Sequence, residues 1–223
     1  MSGEAAPCVL ITGAARGLGQ ALAERYGAAG WQVLAPSRAE LDVADEASIA
    51  AYGCGLGAQP VDILYNNAGV RLIEGASKLG ELSQAMWLTT LIVNTVGPAL
   101  VTQALLPNLR LGRRRKVISM SSRLGSLTDG GGVNSGGSDA SYYAYRASKT
   151  ALNQVNRCLA SDLAGEGFAC VVLSPGWVRT AMGGANANDA PEDVARDIVA
   201  LVDRIGPGEN GAFLDRKGQM MPW

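Results

Sequence analysis

Five consecutive residues give the first chemical hint: Tyr145-Arg146-Ala147-Ser148-Lys149. They fall within residues 142–163, where Ala144, Ala147, Ala151, Val155, Leu159 and Leu163 recur at helical spacing. Residues four apart share a helix face, so the Lys149 ammonium can approach the Tyr145 phenol. A free phenol titrates near ~10, and a neighbouring cation favours the phenolate and lowers that value. A tyrosine tuned in this way can give or take a proton during a reaction. Tyr-x-x-x-Lys is also a short and common pattern on ordinary amphipathic helices. Its chemistry therefore depends on what the rest of the chain brings to that helix.

The chain has 223 residues, enough for one large domain or two small ones with a sizeable core. Hydrophobic content of 48% with 17% charge describes a globular protein, and 29 glycines suggest many tight turns. A net charge of −1 gives no electrostatic case for nucleic acid or an anionic membrane surface. The basic run at residues 113–116 is expected to be a solvated turn leading into a strand. Cys8, Cys54, Cys158 and Cys170 contain no Cys-x-x-Cys pair, and there is no histidine, so no metal site of the usual zinc kind is expected. Cys8 and Cys170 sit in apolar runs and are expected to act as small buried hydrophobes. The opening residues MSGEAAP have neither the basic nor the apolar part of a signal peptide. Residues 86–106 form the most apolar long stretch. They include Thr89, Thr90, Asn94, Thr95, Pro98, Thr102 and Gln103, which is too polar for a membrane span. A reduced cytoplasmic setting fits these features.

The elements that must position the tyrosine alternate regularly. Residues 8–12 (CVLIT) form a continuous apolar run, as a strand buried on both faces requires. The run ends in TGAARGLG, Thr12 to Gly19, and a helical pattern follows through Leu22, Ala23, Tyr26 and Ala29. Strand, glycine turn and helix together cradle a dinucleotide pyrophosphate. Gly13 permits the turn, Gly17 and Leu18 bring backbone to the phosphates, and Gly19 allows close helix–strand packing. Residues 32–35 suggest a second strand, followed by Ser37 and Arg38. An acid after this strand suits the free ribose hydroxyl of NAD, whereas arginine suits the 2′-phosphate of NADP. Ser37 and Arg38, with Arg16 in the glycine loop, therefore favour NADP over NAD.

Residues 40–43 (ELDV) suggest a third strand, residues 45–52 a helix, and residues 61–65 a fourth strand ending in Asn66-Asn67-Ala68-Gly69. Residues 86–106 are apolar nearly all round, which implies a buried helix that Pro98 kinks and Pro107 ends. Residues 116–122 (KVISMSS) suggest a fifth strand that delivers serines at its end, and residues 123–143 a long irregular loop. After the tyrosine helix, which Gly165 and Gly167 can terminate, residues 169–173 form a sixth strand running into Ser174-Pro175-Gly176-Trp177-Val178-Arg179-Thr180. Residues 191–205 and 212–214 add a helix and a last strand. No linker or repeat divides the chain. The expected fold is α/β: a single Rossmann-type domain over residues 1–223, with a doubly wound parallel sheet of about seven strands and helices on both faces.

In this order, TGAARGLG, NNAG at Asn66, VNTVG at Val93, SMSS at Ser119, YRASK and SPGWVRT resemble the short-chain dehydrogenase/reductase family over nearly the whole chain. The short second crossover, the long loop before the tyrosine and the final Pro222-Trp223 look most like its C-factor-like carbonyl reductase branch. The resemblance implies an oxidoreductase that reduces a carbonyl to an alcohol, or the reverse, with a tetrad of Asn94, Ser122, Tyr145 and Lys149. Tyr145 would protonate the carbonyl oxygen and Ser122 would hold it. Lys149 would lower the phenol pKa and bind the nicotinamide ribose, and Asn94 would hold a water that connects Lys149 to solvent. The resemblance also places Asp42 and Val43 against the adenine and Asn67, Ala68 and Gly69 beside its ribose. Pro175, Val178 and Thr180 would lie at the carboxamide. It implies a small-molecule carbonyl or alcohol substrate and a homodimer or homotetramer paired through long helices.

One departure is that Ser122 and Tyr145 stand 23 positions apart, where family members place about a dozen residues between them. Ser121 and Ser126 therefore compete with Ser122. Residues 130–141 are expected to form a lid over the substrate. A dinucleotide-sensing regulator that keeps the fold without turnover is the alternative reading.

Overall fold

The computed structural model describes residues 5–72, 79–128 and 142–223. Among the described residues, six strands make one sheet: β1 (Cys8–Ile11), β2 (Gln32–Leu34), β3 (Ile63–Asn66), β4 (Lys116–Met120), β5 (Ala169–Ser174) and β6 (Phe213–Asp215). All neighbours pair in parallel, in the order β2-β1-β3-β4-β5-β6. The order reverses between β1 and β3, and in open parallel sheets ligands bind outside the carboxyl ends at such a reversal.

The apolar strand runs arise because both sheet faces are covered. Val9 and Ile11 belong to one core with Tyr26, Val194, Ile198 and Val202. These come from α1 (Gly17–Ala28) and α6 (Pro191–Arg204). Cys8 and Leu10 belong to the other core, with Ile49, Val101, Leu105 and Leu109. That face is built by α2 (Glu46–Gly55) and α4 (Gly97–Leu111), beside α5 (Tyr143–Asp162). Cys8 and Cys170 are free and buried, and burial pushes their thiols up to about 11 and about 12.

Three expectations change. Residues 40–43 do not add a seventh strand, because local hydrogen bonds capture the backbone. Ser37 O accepts from Glu40 N and Leu41 N, while Asp42 Oδ1 accepts from Ala44 N. Only Leu41 of that run is buried. Second, Pro107 lies inside α4, which continues to Leu111. Tertiary contacts hold the turn beyond it: Leu109 is fully buried, and Asn108 Nδ2 donates to Gly57 O and Gln59 O. Third, the long apolar helix is not buried all round. It runs as α3 (Gln84–Leu91), a π turn (Ile92–Val96) and α4. Leu88, Ile92 and Val96 stay 38–50% exposed while Thr90, Asn94, Thr95 and Thr102 face inward. Gln84–Leu111 is long and apolar enough to cross a membrane, yet its inward face mixes polar residues with Val101, Leu105 and Leu109 and packs against α2, α5 and β3.

At the amino ends of the strands, Asp62 staples three segments. Its carboxylate accepts from Cys8 N at 2.8 Å, Arg113 N at 2.8 Å and Arg114 N at 3.2 Å. Of the basic run, residues 113–115 form the turn before β4, with Arg114 paired to Asp203 at 2.6 Å, whereas Lys116 opens the strand and is buried, donating to Val202 O.

Candidate active site

The site lies at the carboxyl ends of the strands. β1 runs into Thr12, whose buried hydroxyl donates to Tyr65 O and accepts from Asn67 N at 3.1 Å and Ala68 N at 3.0 Å. Asn67 returns its side-chain amide to Thr12 O at 2.9 Å and Gly13 O at 3.2 Å. The two loops thus form one platform. Gly13 has φ +67°, and a Cβ there would lie 2.8 Å from the Ala68 Cα. A Cβ at Gly19 would meet Asn67 Nδ2 at 2.5 Å, so the packing leaves room only for glycine. Leu18 puts its side chain in the core, leaving its backbone at the helix start. Arg16 precedes α1 in extended conformation and makes no side-chain cap. The first amides of a 12-residue helix are thus left to a ligand. Gly17 packs against Thr180, since a Cβ at Gly17 would lie 3.0 Å from Thr180 Cγ2. This cradle of glycines, open helix amides and cations fits a dinucleotide pyrophosphate.

At the end of β2, Ser37 and Arg38 are both exposed. Arg38 Nε donates to Asp42 Oδ2 at 3.0 Å. The sequence reading missed Glu40, which accepts from Ser37 N at 2.7 Å. That backbone hydrogen bond lowers the Glu40 pKa. Asp42 is lowered chiefly by Ala44 N, with Arg38 adding a smaller effect. The Arg38–Asp42 pair is exposed on the arginine side and therefore weak, so Arg38 is available to a phosphate. Val43 is half-buried against α4.

The catalytic candidates converge from three elements. Tyr145 and Lys149 lie on α5, both buried. Lys149 Nζ donates to Met120 O at 2.8 Å and lies 5.7 Å from the Tyr145 ring centre. Burial alone depresses the lysine to about 8. The expected lowering of the tyrosine by Lys149 is not what the site shows. Burial pushes the Tyr145 phenol above its ordinary value, while a hydrogen bond with Ser122 and the charge of Arg71 act the other way. The lysine is turned to the Met120 carbonyl, so its charge does not decide the phenol's proton affinity here.

The three competing serines have different surroundings. Ser121 donates to Asn153 Oδ1 at 2.7 Å, inside the core, and Ser126 donates to Trp223 O at 2.9 Å. Ser122, half-buried after β4, accepts from Leu124 N at 3.1 Å and is the serine close enough to Tyr145 to act against the rise in its pKa. Asn94 sits in the π turn, and its side chain is fully engaged. Oδ1 accepts from Val70 N at 2.8 Å, while Nδ2 donates to Val70 O at 2.8 Å and Ser148 Oγ at 3.0 Å. Pro98 offers no N–H to the Asn94 carbonyl four residues earlier. Gly69 borders both groups: a Cβ there would lie 3.2 Å from Asn94 Oδ1 and 3.6 Å from Lys149 Nζ.

After β5, Pro175 is half-buried, and Val178 is buried in the core with its carbonyl against Gly183. Thr180 Oγ1 accepts from Gly183 N at 3.1 Å. Arg71, with no counterpart in the sequence motifs, bridges this loop by donating Nη2 to Met182 O. Residues 130–141, expected as a lid, lie outside the described residues.

The comparisons with known proteins agree with this geometry. A family model described as short chain dehydrogenase matches residues 7–191. A protein named C-signal from Myxococcus xanthus is 43% identical over 167 residues, covering 74% of this chain and 93% of that one. The crystal structure of NADPH-bound carbonyl reductase from chicken fatty liver superposes with a TM-score of 0.86 at 27% identity, over 99% of this chain and all of that one. A short-chain dehydrogenase/reductase of Burkholderia multivorans with bound NADP gives 0.84 at 28% identity, over 98% and 100% of the two chains. With its glycine cradle after β1 and Tyr145 and Lys149 on one helix face beside Ser122, this chain belongs to the short-chain dehydrogenase/reductase family.

Proposed function

We propose that the protein is an NADP-dependent oxidoreductase that reduces a carbonyl to an alcohol, or runs the reverse. The observation that carries this reading is the buried Tyr145 and Lys149 on α5, with Ser122 close enough to act on the phenol, at the carboxyl edge of the sheet. When bound, NADPH supplies the hydride. The amides at the start of α1 and Arg16 hold the pyrophosphate, and Arg38 and Ser37 hold the 2′-phosphate. Asp42 and Val43 border the adenine, Asn67, Ala68 and Gly69 its ribose, and Pro175, Val178 and Thr180 the carboxamide. Two of the relatives above were solved with NADPH or NADP, which supports the choice over NAD.

Tyr145 keeps its proton through the neutral range because burial raises its pKa. It therefore arrives at the carbonyl oxygen as a loaded acid. Ser122 donates to the same oxygen and restrains its position as negative charge develops. Lys149 binds the ribose hydroxyls and resupplies the proton. Asn94 holds the water that links Lys149 to solvent, and with its amide committed to Val70 and Ser148 we assign that contact to its backbone carbonyl. The substrate is a small carbonyl or alcohol compound.

We also propose a homodimer or homotetramer in the cytoplasm. The exposed Leu88, Ile92 and Val96 lie one helical turn apart, which supports pairing across a two-fold axis. The four free thiols support a reducing compartment.

NADPH consumption against a panel of ketones and aldehydes tests the enzyme reading, with Tyr145→Phe as control. The likeness to a protein named C-signal favours a second reading, a regulator that binds NADP without turnover. NADPH binding with no carbonyl or alcohol turned over across the panel decides for the regulator.

A further inference from the structure

Among the described residues, Arg71 is a cation without a counter-ion, on the loop that follows NNAG. It leaves the NNAG loop one residue after Val70, donates Nη2 to Met182 O, and lies over the Tyr142 ring with 5.0 Å to its centre. Its Nε is buried and has no hydrogen-bond partner. Among the described residues no carboxylate pairs with it. Tyr142 caps α5 three residues before Tyr145, so the ring under the guanidinium leads directly into the helix that carries the phenol. The Arg71 charge also acts to lower the Tyr145 pKa, against the larger effect of burial. Tyr142 holds this place in a left-handed conformation, φ 69° and ψ 40°, rare for a residue with a side chain.

A structural brace explains the contacts with Met182 and Tyr142. It does not explain an uncompensated charge with a buried, unpaired donor next to the proton-transfer group. Resting on the reading of Tyr145 as the acid at the carbonyl, we propose that Arg71 is a substrate receptor, and that the preferred substrates are carbonyl compounds carrying an oxyanion a few bonds from the carbonyl. A carboxylate or a phosphate supplies the acceptors that a guanidinium fork lacks here. A site built to bond such a group discriminates strongly against analogues without it. A charge-assisted pair of this kind corresponds to ~10–100-fold in kcat/KM.

Matched pairs test the proposal: pyruvate against methyl pyruvate, acetoacetate against methyl acetoacetate, and dihydroxyacetone phosphate against dihydroxyacetone. The wild type should favour the anion at least tenfold in one pair or more, and the pairs separate a carboxylate from a phosphate preference. Arg71→Met should abolish the anion-to-neutral ratio whatever its common loss in rate. Arg71→Lys should restore part of it by keeping the charge without the fork. Tryptophan fluorescence of the NADP⁺-loaded protein provides a readout without turnover, because the oxidised cofactor cannot reduce the added carbonyl. There the anions should bind at least tenfold tighter than their neutral partners. Equal binding of every pair, or an Arg71→Met variant that weakens both members in proportion, overturns the proposal. Should Arg71→Met not fold, the wild-type binding ratios decide alone. Selective anion binding with no turnover of any pair would instead sink the oxidoreductase reading and leave the receptor standing.

Discussion

Replacing Lys149 by methionine should stabilise the cofactor-free protein while destroying its activity. The lysine is buried, it donates to the Met120 carbonyl, and burial lowers it from 10.5 to about 8. At ~1.4 kcal/mol per decade, that displacement means the folded state holds the charge at a cost of ~3 kcal/mol. Methionine has nearly the same length and no charge. It leaves the Met120 carbonyl without its donor, which gives back about 1 kcal/mol, so the net gain at pH 7 is ~2 kcal/mol.

The sign follows from proton counting. Below pH 8 both states carry the charge and the folded state bears the whole penalty. Between pH 8 and 10.5 the unfolded lysine still binds a proton that the folded one has lost, so wild-type stability rises with pH. Across that window the wild type should overtake the deficit. Urea unfolding of both proteins at pH 7 and pH 10 measures this, and with a slope of ~2 kcal/mol/M the midpoints should differ by about 1 M at pH 7. If Lys149→Met is no more stable at pH 7, or its advantage is the same at pH 10, the lysine is not held as a costly buried cation.

Tyr145→Phe removes one oxygen, so NADPH binding should survive while kcat falls by ~10²–10⁴, the usual worth of a general acid; retained turnover would remove Tyr145 from that role. In alcohol oxidation the wild-type rate should climb as pH rises toward the raised phenol pKa, since the phenolate is then the base, and a flat alkaline profile counts against this. Arg38→Ala should cut the NADPH-over-NADH preference about thirtyfold, ~2 kcal/mol, while costing little stability, because the pair with Asp42 is exposed on the arginine side; an unchanged ratio of kcat/KM refutes it. Asp62→Ala strands three backbone donors at the far end of the sheet and should cost about 3 kcal/mol in chemical unfolding, with kcat per folded molecule intact.

What the sequence discloses is what local pattern decides. The buried strands announce themselves because both sheet faces are covered, so Cys8–Ile11 and Ala169–Ser174 are continuous apolar runs. The glycine turn and the Tyr145–Lys149 pair show through spacing alone. Tertiary competition hides the rest. ELDV has strand-like residues, yet hydrogen bonds around Ser37 and Asp42 capture its backbone. Pro107 looks like a stop, but the burial of Leu109 carries the helix past it. The phenol's pKa depends on how deeply Tyr145 is buried and where Lys149 turns, neither of which a Tyr-x-x-x-Lys spacing encodes. Arg71 carries no motif, and its setting appears only once three distant loops meet.

The π turn at Ile92–Val96 has a genealogical consequence. Within it Asn94 must face Val70, and just beyond it Gly97 must lie flat against the Val43 backbone, where a Cβ would come within 2.4 Å of the carbonyl. Losing one residue between them would rotate one contact by ~100° relative to the other. No side-chain change repairs a rotation of that size. Lineages descending from this fold should therefore tolerate spelling changes in the segment but not gaps. The count of residues from Asn94 to Gly97 is then a more durable mark of kinship than their identities.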